Sequence, residues 1–243
     1  MAYYFSESWR LIRKLIQSVL LRLGFNLTGR TVVFLKQDMA AMVLGDVSKP
    51  ALHPISAADV QAEPLFCYGV YSREQILDRL AQGHKLFAIK HADMNACFGW
   101  IEQGRTEVKP LRFRFDIPPD IRYLAGLYTL PAMRGRGLAL QMWLALGQRC
   151  KDQGAKHLLA VVNLQNIPSR QLHRKLGFLE YQIVHFKQFG FFNYYRVQDT
   201  QSPLYRRWMT LFNSPPELWK TFWSGDKTES GKKITVVTSE KAV

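Results

Sequence analysis

The chain has 243 residues, 47% of them apolar and 21% charged, enough for one large domain or two small ones with a core that needs no staples. Its three cysteines, Cys67, Cys97 and Cys150, stand far apart, which excludes a disulfide framework and a cysteine metal site and fits a reducing, cytoplasmic setting. Thirty-three Lys and Arg against 19 Asp and Glu leave a net charge of +14, suited to nucleic acid, an anionic membrane face or a phosphorylated ligand. Basic and aromatic residues do not interleave as nucleic-acid binding requires, so no nucleic-acid partner is expected.

Residues 8–25, SWRLIRKLIQSVLLRLGF, read as a helix with Ser8 as its cap and Gly24 as its stop. Trp9, Ile12, Ile16, Val19, Leu20 and Leu23 recur at helical spacing, while Arg10, Arg13, Lys14 and Gln17 gather elsewhere on the wheel. Arg13, Lys14, Gln17 and Arg22 interrupt the run, which stays well short of the ~20 apolar residues of a membrane span. A secretory signal is poorly matched too, since no small-residue cleavage site follows. Three readings stand for this basic amphipathic stretch: packing on the protein's own core, docking on a membrane face or a partner, and organellar targeting.

Arg30–Asp38 has the β-branched and aromatic content of a short strand, and residues 45–56, with glycine, two prolines and serines, read as a loop or boundary. A capped helix follows at Ser72–Gly83 with Ile76, Leu77 and Leu80 on one face. KLFAIKH (85–91) and ACFGWIEQG (96–104) make a hairpin across residues 92–95. Arg122–Leu130 is a strand, residues from the glycine-rich turn to Gly154 a long helix, KHLLAVVN (156–163) a buried strand, and Pro168–Gly177 a short helix. Strands near 179–187 and 191–197 complete a mixed α/β pattern. Beyond Thr200 the pattern fails: three tryptophans flank a Pro-Pro break, a segment that docks on the domain or presents an interaction surface, and residues 224–243 read as a solvated tail. The chain thus divides into a basic helix (1–30), a short strand and linker (31–50), the main domain (51–200) and a Trp-rich segment with a flexible tail (201–243).

The informative stretch is LPAMRGRGLALQ, Leu130 to Gln141, where two glycines sit at the start of a helix. Each costs a helix interior roughly 1 kcal/mol relative to alanine. They suit an anion better: backbone N–H groups at a helix start lack partners, the helix dipole favours negative charge, and a missing Cβ lets a phosphate approach the main chain. Arg134 and Arg136 add charge. A dinucleotide fingerprint fails, because Leu140 stands where its third glycine belongs and residues 155–163 contain no acid; a Walker loop fails for want of Gly-Lys-Ser/Thr.

Arg134-Gly135-Arg136-Gly137-Leu138-Ala139 resembles the (Gln/Arg)-x-x-Gly-x-(Gly/Ala) motif of the GCN5-related N-acetyltransferase (GNAT) family. NLQNIPSRQLHRKLGF resembles the family's second signature, with Asn166, Lys175, Gly177 and Phe178 at the matching positions. The resemblance covers roughly residues 50–200. It implies a GNAT-like mixed, mostly antiparallel sheet, splayed at an acyl-CoA cleft and carrying helices on both faces. It further implies an acyl-CoA-dependent N-acyltransferase with acetyl-CoA, or another acyl-CoA, as donor and a primary amine as acceptor. Backbone groups of Leu127, Tyr128 and Thr129 would pair with the pantetheine. The amides of Gly135 to Leu140 (with Gly137, Leu138 and Ala139 between) would hold the pyrophosphate beside Arg134 and Arg136. Asn166 would hydrogen-bond the cofactor or its water.

Catalysis by this route needs a base for the ammonium, an N–H for the oxyanion and an acid for the thiolate. The family's tyrosine, seven residues after the Asn, is replaced here by His173, and the glutamate some relatives carry five before it by Val161. His173 or Tyr128 stands as candidate acid and Glu102 as candidate base. Loss of the usual pair keeps a second expectation open: an inactive acyl-CoA-binding module that acts through docking. Membrane contact through residues 8–25 is expected only as a peripheral one.

Overall fold

A computed structural model describes residues 27–40, 42, 50–62, 71–91, 94–108, 111, 113–189, 192–201, 205–211 and 234–237. The basic helix expected at 8–25 and most of the Trp-rich segment lie outside the described residues. The chain forms two compact units, each discontinuous in sequence. One comprises residues 34–106 and 115–181; the other comprises 1–33, 107–114 and 182–243.

The larger unit carries the sheet order β8-β7-β4-β3-β2. Its strands are β2 (His53–Ile55), β3 (Lys85–His91), β4 (Met94–Glu102), β7 (Ile121–Thr129) and β8 (His157–Asn163). The pairs β2/β3, β3/β4 and β4/β7 are antiparallel, and β7/β8 is parallel. Helices α1 (Ala57–Ala62), α2 (Arg73–Ala81), α3 (Leu138–Asp152) and α4 (Ile167–Lys175) complete it. α2 begins as its sequence demands: the Ser72 hydroxyl accepts from Gln75 N while the Gln75 side chain accepts from Ser72 N, a reciprocal cap.

Alternation along β4 explains why helices cover both faces. Phe98 and Trp100 point to one side, where they cluster with Val60 of α1 and Ile76 of α2. Between them Gly99 faces the other way, and a Cβ there would stand 2.7 Å from Leu146 and 3.2 Å from Met142 of α3. Glycine therefore lets α3 lie directly on the sheet, and any larger residue would push it off. The buried α3 positions Leu138, Met142, Trp143, Ala145, Leu146 and Cys150 form the stripe that sits there. The expected mixed, mostly antiparallel sheet with helices on both faces is what forms.

Beneath the α2 face lies a charged pair. Arg79 ion-pairs with Glu102, whose other oxygen accepts from the Thr106 hydroxyl, and Glu102 is fully buried. The Arg79 guanidinium lies over both Tyr71, 4.6 Å from its ring centre, and Trp100, 4.7 Å away. Removing either charge would strand the other in a dry interior, at a cost of about 3–5 kcal/mol.

The smaller unit carries the order β12-β11-β10-β9, made of β9 (Leu179–Phe189), β10 (Phe192–Asp199), β11 (Tyr205–Leu211) and β12 (Ile234–Val237). β1 (Leu27–Asp38) contributes to one unit through Val33 and to the other from Phe34. The sequence reading missed several elements. β2 falls inside the stretch read as a loop at 45–56. β5 (Gly104–Val108) and β6 (Phe113–Ile117) pair in the interval left unassigned. β11 and β12 lie where the pattern was read as ending and where a solvated tail was expected. β11 pairs with β10 across seven residues, so neighbouring strands supply the order that its own mixed sequence does not advertise. Among the described residues no helix is long and apolar enough to cross a membrane.

His84, at the end of α2, is buried with its Nδ1 unpartnered. Burial, and then the nearby Arg79 charge, pull its pKa from 6.5 down to about 4. The native state therefore holds His84 neutral while the unfolded chain protonates it below pH 6.5. Stability from this group is present above pH 6.5 and is lost as the pH falls toward 4. Denaturant midpoints at pH 7 and pH 5 should separate further in the wild type than in His84→Leu; equal separations would contradict this.

Candidate functional site

β7 and β8 pair in parallel only from Ile121 with His157 to Tyr123 with Leu159. β7 nevertheless continues to Thr129 and β8 to Asn163. Past that point the β7–β8 pairing ends, so no neighbouring strand takes up the β8-facing edge of residues 124–129. Backbone groups on such an edge need a partner.

On its other edge β7 stays paired with β4, through a bulge. Ala125 stands opposite Trp100 and Tyr128 opposite Phe98, so Gly126 and Leu127 together face Gly99. Gly126 has φ +58°, and a Cβ on it would stand 2.8 Å from Trp100 and 2.9 Å from Tyr71. Conformation and space both require glycine. The bulge swings the backbone of Leu127 and Tyr128 at the point where the strands diverge. Beside it, Tyr71, Ile76, Leu86, Phe98, Trp100 and Tyr128 enclose a small apolar pocket of about 20 Å³.

From Thr129 the chain passes a short helical turn, Pro131–Met133, and reaches the two glycines. Gly135 and Gly137 take φ of +78° and +76°, and Cβ atoms on them would meet nothing within 4 Å. The space over both is open, as close approach of a ligand requires. Gly137 is the N-cap of α3, which has no side-chain cap and no acid in its first turn. The first intrahelical bond runs from Gln141 N to Gly137 O, 3.1 Å, so the N–H groups before Gln141 have no partner within the helix. Arg134 donates from Nε to Thr129 O at 3.2 Å and lies 5.9 Å from the centre of the Tyr128 ring. Arg136 reaches His91 Nε2 at 3.2 Å. The result is a positively charged helix start next to an open strand edge.

The structure thus gathers the strand residues Leu127, Tyr128 and Thr129 and the loop residues 134–140 into one region. The two other candidate catalytic residues it draws away. Glu102 is fully buried, bound to Arg79 and Thr106, and is a structural carboxylate rather than a base open to substrate. His173 is 2% exposed; its Nδ1 lies 2.7 Å from Ser169 O and its ring packs edge-on against Trp143 and Phe178. Burial lowers its pKa, and the bond to a carbonyl puts the neutral ring's proton on Nδ1, leaving none on Nε2 to give a thiolate. An ion pair with Arg79 decides the outcome for Glu102 and ring packing that for His173, and neither sequence signature reveals them. Asn166 is the N-cap of α4, its Oδ1 accepting from Ser169 N at 3.2 Å. Cys150 is buried near the end of α3 with its thiol pushed up to about 12, which makes it inert as a nucleophile. Cys97, which the sequence did not single out, has its Sγ 3.3 Å from the Thr129 hydroxyl at the edge of the parted strands.

These features define an α/β domain with an anion-receptive helix start beside a strand edge that its parallel neighbour leaves. Residues 59–178 match the family model described as Acetyltransferase (GNAT) family, and the chain belongs to that family. No curated protein sequence matches it. Among solved structures it is similar in fold to a GNAT-family protein from Novosphingobium aromaticivorans, at 13% identity and a TM-score of 0.50, covering 69% of this chain and 67% of that one. A conserved protein of unknown function from Staphylococcus epidermidis matches at 7% identity and 0.50, covering 72% and 66%. The GCN5-related glucosamine N-acetyltransferase region of a fungal multi-domain GH3 β-N-acetylglucosaminidase matches at 11% and 0.50, covering 72% of this chain and 23% of that one. This chain therefore spans about two thirds or less of those chains, and the likeness is one of fold.

Gly137→Val would place a β-branched side chain in the left-handed region, costing about 1–2 kcal/mol of stability, and would fill the space over the helix start. The variant should unfold cooperatively at a modestly lower temperature and lose the stabilisation that acetyl-CoA gives the wild type. Unchanged acetyl-CoA affinity by calorimetry would contradict the assignment of the loop.

Proposed function

We propose that this protein transfers an acetyl group from acetyl-CoA to a primary amine by direct attack. The observation that carries the reading is the continuity of the open β7 edge, 124–129, with the double-glycine helix start of α3. A pantetheine chain offers amides in an extended line, which matches a strand edge with no strand beside it. A pyrophosphate matches the unpartnered N–H groups of Gly135 to Leu140, with Arg134 and Arg136 supplying countercharge. When bound, acyl-CoA supplies an activated carbonyl.

The protein's own part is then to hold and polarise. An N–H group at the bulge, Leu127 or Tyr128, is the candidate donor for the oxyanion. With His173 and Glu102 in the core, Tyr128 is the candidate that remains beside the open edge, and its hydroxyl is assigned the proton for the departing sulfur. The 20 Å³ pocket next to the bulge suits a methyl-sized group, which supports acetyl over longer donors. The basic amphipathic sequence at 8–25 supports an acceptor amine presented at a membrane surface.

Burial of Glu102 and His173 favours one second reading, a domain that binds acyl-CoA without turning it over and works through docking. CoA release with a panel of amines separates the two. The first reading expects release with at least one amine and a kcat lowered about 10²–10⁴-fold by Tyr128→Phe, with acetyl-CoA affinity unchanged. Tight acetyl-CoA binding with no release from any amine would establish the second.

A further inference from the structure

The smaller unit presents a surface that the acyltransferase reading does not use. Adjacent rows of its sheet are fixed by register: Lys187 pairs with Tyr194 and Tyr194 with Met209, while Phe189 pairs with Phe192 at the hairpin end. Side chains two apart on a strand share a face, so these five lie together, and they line one shallow groove. Phe189 is 40% exposed, Phe192 45% and Met209 36%, whereas the alternate residues Val184, Phe186, Tyr195 and Val197 are buried on the opposite face.

The same face carries a gradient. One row behind Lys187, Tyr194 and Met209 come His185, Arg196 and Arg207, which the register again places in line. From the hairpin end inward the rows run aromatic, then mixed, then basic, about 6–7 Å apart at two residues per row. The charge of the last row is that of Arg196 and Arg207, since burial and the cations Arg196 and Lys187 lower the pKa of His185. A lipid surface has the matching order, with hydrocarbon beneath a polar interface and anionic headgroups above. Aromatic rings and Lys stems tolerate the boundary between them. Charge agrees among the described residues of the unit, where six Lys or Arg stand against two Asp or Glu, compared with fifteen against nine in the other unit. A protein partner needs no such depth-ordered layering.

We propose that the β9–β10–β11 face docks on an anionic lipid bilayer, with Phe189 and Phe192 entering the interface and the basic row meeting the headgroups. The surface belongs to the smaller unit and stands whether or not the larger unit turns over acyl-CoA.

The test is flotation of the full chain with vesicles of phosphatidylcholine alone, or of phosphatidylcholine and phosphatidylglycerol in equal parts. Binding should occur on the anionic vesicles, weaken about tenfold or more on neutral ones, and fall steeply at about 1 M salt, where the Debye length is ~3 Å. Phe189→Ser/Phe192→Ser should lower the partition coefficient about tenfold or more. Lys187→Glu, which leaves the aromatics in place, should lower it on anionic vesicles only. Retention of the wild-type melting temperature and acetyl-CoA shift certifies that each variant folds. Three results would overturn the proposal: no binding of the wild type, equal binding by folded variants, or a dimer that the aromatic variant dissociates while lipid binding is unchanged, which would make a second copy the occupant.

Discussion

A strand in the middle of a sheet cannot leave one edge unpaired without consequence, and the candidate site is built on that constraint. β7 is held along its length by β4, yet its parallel partner β8 leaves it after Tyr123. Of the next six residues, the groups that face β4 stay paired, while the β8-facing edge has no strand beside it and suits water or a ligand that imitates a strand. What keeps the strands apart is local. The bulge at Gly126 turns the β7 backbone, and Tyr71 and Trp100 crowd that glycine so closely that no side chain could replace its hydrogen. The same two rings lie against Arg79, which neutralises Glu102. The ion pair thus belongs to the mounting of the cleft, and its charge is consumed in structure.

The helix that follows inherits the second half of the site. α3 lies flat on β4 because Gly99 has no side chain, and this aims its uncapped first turn at the end of the parted strands. Two left-handed glycines deliver the chain into that turn with open space above them. Backbone groups do most of the recognition, so binding depends little on which side chains surround it. The catalytic residues have no such protection, because their function rests on exposure and on pKa.

That division decides what could be read from sequence. The helices α2, α3 and α4, the hairpin and the strand–turn–helix around Gly135 and Gly137 carry local signals, such as the Ser72–Gln75 cap and the double glycine, and they formed where those signals placed them; α1 was missed. The bulge left no such trace, because Gly126 in RYLAGLYTL is one small residue in an apolar run and its meaning comes from Tyr71 and Trp100, far away in the chain. Glu102 and His173 were candidates by position along the chain. Their burial arises from contacts with Arg79, Trp143 and Phe178 that no spacing rule contains. The strands β11 and β12 were missed because register with a neighbour defines them more than their own pattern does. The graded face of the smaller unit was hidden for the same reason, since its rows exist only once β9, β10 and β11 are aligned.

The central claim is that one ligand completes both the open edge and the helix start. Hydrogen–deuterium exchange of backbone amides, compared with and without acetyl-CoA, reads both places at once. The account predicts slowed exchange in 124–129 and in 135–140 together, at the same acetyl-CoA concentration. Protection of neither segment, or of the helix start alone, would contradict it.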